Sequence, residues 1–289
     1  MKKTYFLAAL SILFWSTAAA VSKALLGSFS QYQLLCVSAL FACTSLLLFS
    51  IFSGKWKKIR ALKFRDILPM VLTGLCGNFF YYVCYYGGTK FMSASTASVV
   101  NYLWPIMSVV FACLILKEKV TVRKVIAFGV SFLGVLIISG SSITALNMDL
   151  LTGTVLCVLG AAFYGAFTAL NKKFRFDMTV SMMFSFFVSF LLSLAINLCM
   201  NVSWNMGAME VLGFGWNGVF VMAAGSVLWA TALNKGDTAK ISNLAYVTPF
   251  LSLLWVFLFL HEPIAPTTLL GLAVIVLGIL IQLKDQKSR

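Results

Sequence analysis

Of the 289 residues, 61% are hydrophobic and only 10% charged, and mean hydropathy is +0.97, whereas soluble domains carry roughly 25% charged residues. That composition excludes an ordinary soluble domain, and the short polar breaks between apolar runs leave no room for a separate one. A net charge of +14 is strongly basic, yet no basic cluster lies outside short loops, so nucleic-acid binding is not implied.

Ten apolar runs have a length that crosses ~30 Å of hydrocarbon as helix. They lie near 5–26, 30–52, 67–88, 93–116, 122–140, 151–170, 178–200, 213–233, 241–260 and 267–283. The first run follows Lys2-Lys3 and contains Ser16-Thr17-Ala18-Ala19-Ala20, a pattern shared with cleavable secretory leaders. Its full span length and its likeness to the sixth run predict that it stays as the first helix.

Trp15 sits at the centre of span one and Trp104 at the centre of span four, away from the interfacial belt where membrane tryptophans usually lie. Span three carries Asn78, Tyr81, Tyr82 and Tyr85 at i, i+3, i+4 and i+7, the spacing of one helical face. Span four places Asn101, Trp104 and Ser108 at i, i+3 and i+7. Span six offers Tyr164, Phe167, Thr168 and Asn171, and span nine offers Asn243 and Tyr246. Polar groups at mid-span need partners that lipid cannot supply, so these positions mark a cavity or a bundle core. An aromatic stripe at helical spacing is more often core than ligand site.

Several familiar chemistries are missing. All seven cysteines fall inside predicted spans with no CxxC or CxxH pair, and the single histidine, His261, sits in a loop, so neither a disulfide framework nor a metal site is expected. No Gly-rich phosphate loop or nucleophile elbow is present, which argues against an enzyme, and no cofactor is expected. All eight acids, Glu118 and Glu262 among them, lie at loops or helix ends. Intramembrane carboxylates, the usual proton relays and cation sites, are absent.

The two halves are copies. At an offset of 144 residues Tyr102 matches Tyr246, Pro105 matches Pro249, Ser108 matches Ser252, Glu118 matches Glu262 and Gly134 matches Gly278. A weaker match at 149 sets Phe14-Trp15 against Phe163-Tyr164 and Lys23 against Lys172. Ten spans in two copies means five per copy. Since five is odd, the second copy enters the membrane from the opposite side. The expected fold is therefore an all-α membrane protein of ten transmembrane helices, built as two inverted five-helix repeats, 1–145 and 146–289. With the N-terminus cytoplasmic, 20 of the 22 Lys and Arg fall on the inner side, and only Lys23 and Lys90 fall outside. The positive-inside rule then puts both termini in the cytoplasm.

The string Ser93-Ala94-Ser95-Thr96-Ala97-Ser98 running into Asn101-Tyr102-Leu103-Trp104-Pro105, then Lys117-Glu118-Lys119 and Leu133-Gly134-Val135, resembles the ten-span drug/metabolite transporter superfamily, the EamA-type permeases. The second half repeats it with Tyr246-Val247-Thr248-Pro249, Glu262 and Leu277-Gly278-Ile279. The five residues from Asn101 to Pro105 resemble more narrowly the aromatic amino acid exporter branch. The resemblance implies a multi-pass inner-membrane exporter of small metabolites, with a cavity lined by spans one, three, four, six, eight and nine. Under it Tyr82, Trp104 and Tyr164 lead as substrate-binding residues, followed by Trp15, Asn101, Asn78, Tyr85 and Tyr246. Pro105 and Pro249, in matched positions, are expected hinges, helped by Gly87-Gly88 and Gly236-Asp237. An exporter of cationic drugs or quaternary amines is the alternative, because aromatic rings also cage cations. A membrane structural protein with no transported ligand is a third reading, which the inverted duplication opposes. Beyond the substrate and the lipid bilayer no partner is implied, and the oligomeric state is left open.

Overall fold

Each predicted apolar run is a helix in the computed structural model, which describes residues 2–144, 147–174, 177–235, 241 and 244–287. Among these residues eight helices are long and apolar enough to cross a membrane. They are spans one to eight: Lys3–Leu26, Gln31–Phe52, Arg65–Phe91, Ala94–Ile115, Val122–Ser139, Met148–Phe174, Met178–Cys199 and Ala208–Leu233. Two shorter apolar helices, Ala245–Leu260 and Pro266–Gln282, are spans nine and ten. The fold is the expected one, ten helices as two inverted sets of five. Asn243 and Gly236-Asp237 lie outside the described residues.

Local chemistry starts several spans. Ser30 caps span two in a reciprocal box: its hydroxyl accepts from the Gln33 amide at 3.0 Å, while its own amide donates to Gln33 Oε1 at 2.9 Å. Asp177 caps span seven through the amides of Thr179 and Val180, and Ser93 caps span four through the amide of Thr96.

Contacts sort the connections into two ends, as alternating crossings require. At one end Lys55 pairs with Asp177 at 3.1 Å and Lys172 pairs with Glu118 at 2.9 Å. At the other, Gln33 Nε2 donates to Ser203 O at 2.8 Å and Glu262 accepts from the amides of Ala94 and Ser95. Packing follows the pseudo-two-fold relation. Span five lies against span ten and span two against span seven, while the three–six contact is mirrored by eight–one.

The five–ten contact shows why small residues stand there. A Cβ added to Gly134 would lie 2.6 Å from Ile275 Cγ1 and 2.7 Å from Gly271 O; one added to Gly278 would lie 2.2 Å from Ser131 Oγ and 2.7 Å from Ala127 O. The partners are themselves related by 144 residues. Without a hydrophobic driving force between helices in lipid, such close backbone approach lets dispersion and weak polar contacts hold them together.

Regular and irregular spans divide by position. Span one breaks at Thr17, and span four breaks at Tyr102-Leu103 between Ala94–Asn101 and Trp104–Ile115. Span nine opens with a 3₁₀ turn, Ala245–Val247. Spans three and eight widen to π geometry over Leu75–Phe80 and Trp216–Ala224. All five flank the central cavity described below. That is where membrane-depth irregular backbone is tolerated, because only there can freed backbone groups find partners away from lipid.

Two expectations change here. Asn101, Trp104 and Ser108 do not form one continuous helical face, because the break at Tyr102-Leu103 separates Asn101 from the helix that carries the other two; Ser108 bonds back to Trp104 O at 2.8 Å instead. Gly87 and Gly88 lie inside the helix Tyr81–Phe91 rather than at a bend. A Cβ on Gly88 would meet Cys157 Sγ at 2.6 Å and Gly153 O at 2.7 Å, so Gly88 is there for the close crossing of spans three and six.

Candidate functional site

A cavity of 110 Å³ lies at the centre of the bundle between the two repeats. Seven of the eight sequence-selected residues line it: Tyr82, Trp104, Tyr164, Trp15, Asn101, Asn78 and Tyr85. Tyr246 does not. It is half-buried against the core within the 3₁₀ turn, and the second repeat presents Ala245, Thr248, Pro249 and Ser252 to the cavity instead. The lining comes from spans one, three, four, six, eight and nine, with Met182 of span seven added.

Rings form most of the wall. Trp104 meets Tyr164 edge-to-face with centroids 5.2 Å apart, Tyr164 meets Tyr81 at 5.0 Å, and Tyr81 meets Tyr82 at 4.7 Å. Tyr85 stacks parallel to Tyr81 at 6.0 Å. On the opposite side Trp15 donates its indole N–H to Val221 O, inside the π segment of span eight, at 3.1 Å, and packs on Trp229 at 5.4 Å. The rings therefore hold one another, each pair contributing about 0.5–1.5 kcal/mol beyond simple burial.

Between the rings lie amides and hydroxyls. Asn101 Nδ2 donates to Tyr81 Oη at 3.2 Å, and Ser98 Oγ donates to Ser252 Oγ at 2.9 Å across the repeat boundary. The Tyr102 hydroxyl donates to Ala245 O. No charged side chain lines the cavity among the described residues. Ser98, Thr248 and Ser252 were not selected as site residues from sequence, and Tyr81 was named on the span-three face without being ranked among the substrate contacts. Their signal was available in part: Tyr81 shares the face of Asn78 and Tyr85, and Ser252 belongs to a matched pair.

Phe167, Thr168 and Asn171 belong to packing. Phe167 is fully buried with its ring against Gly77, Thr168 bonds to Gly165 O at 2.7 Å, and Asn171 bonds to Phe167 O at 3.1 Å. Pro105 and Pro249 each stand at the start of a helical segment just after an irregular turn, which spares a backbone donor that would otherwise be needed. The cysteines are free thiols. Among the described residues no group of three His, Cys, Asp or Glu is placed to hold a metal.

Outside the membrane-spanning core, the hydrogen bond from Lys172 to Glu118, with help from Lys124 at 3.3 Å, holds the Glu118 carboxyl below the ordinary carboxylate range. Glu262, its repeat counterpart, is no free loop acid. It reaches the start of span four and accepts from Ala94 N at 2.9 Å, Ser95 N at 3.0 Å and Ser95 Oγ at 2.6 Å. Sequence reasoning placed it in a loop and missed that contact. A larger cleft of 530 Å³ between spans one, eight and nine is mostly apolar with Glu210 in its lining, and its Thr17 hydroxyl is already taken by Trp216 Nε1 at 2.9 Å.

Ten helices in an inverted repeat, with broken spans around a central polar and aromatic cavity, have the architecture of a membrane transporter. The comparisons agree. The EamA-like transporter family profile matches residues 2–140 and 151–283, and the chain belongs to that family. It is 26% identical to an uncharacterized transporter of Archaeoglobus fulgidus over 98% of this chain and 100% of that one. Another, from Clostridium kluyveri, is 25% identical over 100% of this chain and 95% of the relative. A solved structure, 18% identical, superposes with a TM-score of 0.70 over 96% of this chain and 95% of that one, and so shares the fold. Family membership makes the protein a multi-pass membrane transporter rather than an enzyme, and it removes the non-transporting structural reading.

Proposed function

We propose that the protein exports aromatic and other hydrophobic amino acids from the cytoplasm across the inner membrane by alternating access between its two repeats. The observation that supports this reading is an uncharged cavity walled by Tyr81, Tyr82, Tyr164, Trp15 and Trp104 and floored by amides and hydroxyls. Rings offer an aryl side chain offset and edge-to-face contacts, and amides meet a polar head. Both termini and the Lys55–Arg65 connection face the cytoplasm in this reading, which the 20-to-2 partition of basic residues supports.

At 110 Å³ the cavity is small for such a ligand in the conformation described. Loading therefore needs the walls to part, and the breaks before Pro105 and Pro249, together with the π segments of spans three and eight, are the places that yield. A cationic substrate is the alternative favoured by the same rings. Among the described residues the lining has no carboxylate to balance a cation in low dielectric, which favours a net-neutral ligand.

Counterflow in proteoliposomes tests the proposal. Internal unlabelled phenylalanine, tyrosine or tryptophan is expected to drive uptake of the labelled amino acid. Counterflow with quaternary amines and none with any of the three would transfer the assignment to the cation reading.

A further inference from the structure

Among the described residues seven buried side-chain atoms lack a hydrogen-bond partner, and three of them belong to residues of the cavity lining. Asn78 Nδ2, Asn101 Oδ1 and Thr248 Oγ1 are buried without a hydrogen bond of good geometry, Thr248 with the Tyr102 hydroxyl as its polar neighbour, and all three residues line the central cavity. They come from spans three, four and nine, so both repeats contribute. The matched π segment of span eight gives a direct contrast, although Asn171 Oδ1 and Asn197 Oδ1 are also unpartnered away from the cavity. Asn217, inside the π segment of span eight as Asn78 is inside that of span three, donates to Ser38 Oγ at 3.0 Å and Tyr86 Oη at 2.8 Å. A buried polar atom left without a partner is costly, and a ligand that completes it recovers that cost.

We infer that Asn78, Asn101 and Thr248 hold the charged head of a zwitterionic α-amino acid and determine specificity for it. This rests on the amino acid reading above and assigns the ends of the ligand. The Asn78 amide N–H donates to the carboxylate. Asn101 Oδ1, oriented because Nδ2 of the same amide donates to Tyr81 Oη, accepts from the ammonium. The Thr248 hydroxyl serves either group. A lone ammonium or a lone carboxylate would enter low dielectric without a counter-charge, whereas a zwitterion brings its own.

Competition for labelled phenylalanine in the counterflow assay tests this with 2-phenylethylamine and 3-phenylpropionate, which lack one charged group each. Both are expected to compete at least tenfold more weakly than phenylalanine. Asn78→Ala is expected to narrow the gap between phenylalanine and phenylethylamine while phenylpropionate stays excluded, a change of ratio that lost packing would not produce. Analogues that compete within twofold of phenylalanine, or a variant that weakens all three equally, overturn the head-group assignment and leave the aromatic reading standing. Absence of any phenylalanine counterflow overturns both.

A second, independent observation concerns the end of the bundle at Glu262. The turn between spans three and four is held from both sides and by both repeats. Lys23 of span one donates to Thr89 O and Met92 O, each at 2.7 Å, where span three ends, and Glu262 takes two amides and a hydroxyl where span four begins. A cation on terminal carbonyls and an anion on terminal amides match both helix dipoles. Beneath this clamp Thr96 meets Thr268 at 3.3 Å and Ser98 meets Ser252 at 2.9 Å, so the contacts run from the end down to the cavity. At the opposite end Glu118 and Lys172, the repeat counterparts of Glu262 and Lys23, pair directly at 2.9 Å.

The geometry points to Lys23 and Glu262 as a latch that closes this end of the cavity and must release for it to open. In a cysteine-free background, Ala19→Cys in the cavity lining is the probe, labelled from each side by a membrane-impermeant thiol reagent. Glu262→Gln, and separately Ser95→Ala, which removes one donor with little risk to folding, are expected to raise labelling from the Glu262 side at least threefold. Unchanged labelling in both folded variants, or in Ser95→Ala alone where Glu262→Gln fails to fold, overturns the latch.

Discussion

Ser131 Oγ donates to the carbonyl of Ile275 at 3.3 Å, and these residues occupy the same position in the two repeats, 144 residues apart. Residues related by a two-fold axis touch only where they lie beside it, so the axis passes through the contact of spans five and ten. The close approach of Gly134 and Gly278 on either side of this point repeats the same geometry twice.

That repetition makes the interface testable. Gly134→Val and Gly278→Val each force a side chain into occupied space and are expected to destabilise the protein by comparable amounts, about 1–3 kcal/mol for overpacking. Gly129, where an added Cβ meets nothing within 4 Å, is the control: Gly129→Ala is expected to be neutral or stabilising. Thermal unfolding of the detergent-purified protein reads all three. A Gly278→Val variant as stable as Gly129→Ala would contradict the axial packing.

Topology follows from odd repeats. Lys119→Cys beside Glu118 and Ala265→Cys beside Glu262, both at exposed positions, are expected to label from opposite faces of the membrane, Lys119→Cys from the cytoplasm. Labelling of both from one face would be incompatible with the inverted repeat.

Trp104 gives Tyr164 its edge-to-face partner and stands at the cavity wall. Trp104→Ala is expected to reduce phenylalanine transport about 2- to 10-fold, the equivalent of one aromatic pair of 0.5–1.5 kcal/mol. Membrane expression should stay near normal, since the residue borders a cavity rather than filling the core, and Trp104→Phe should recover part of the rate. Initial rates normalised to protein in the membrane decide it. Normal transport by Trp104→Ala would remove Trp104 from the binding wall.

Among the described residues the cavity lining offers no carboxylate to load and unload a proton, and Glu262 is engaged at the start of span four. His261 lies beside Glu262 at the end of span nine, away from the cavity. Movement of a net-neutral substrate down its own gradient is therefore expected. In liposomes an imposed pH gradient should not drive uptake above the equilibrium concentration. Uphill accumulation abolished by a protonophore would mean that a proton path exists.

The chain's own order of residues determined the architecture. Ten apolar runs become ten helices because hydrocarbon gives backbone groups no other partner, a local rule that needs no knowledge of neighbours. The duplication was equally legible: Glu118 and Glu262, or Gly134 and Gly278, stand in register without any structure. The aromatic wall could be read from the spacing of Asn78, Tyr82 and Tyr85, because helical period is a local property too. Tertiary structure alone decided which copy of a repeated residue does what. Tyr102 lines the cavity and Tyr246 does not, Ser252 does and Ser108 does not, because the broken helices of spans four and nine turn their matched positions differently. It alone decided that Asn217 is satisfied while Asn78 Nδ2 is buried without a partner, and that the Glu262 side chain reaches Ala94 and Ser95. Each of these turns on contacts between residues from different spans, most of them more than a hundred positions apart in the chain, and no local pattern records who those partners are.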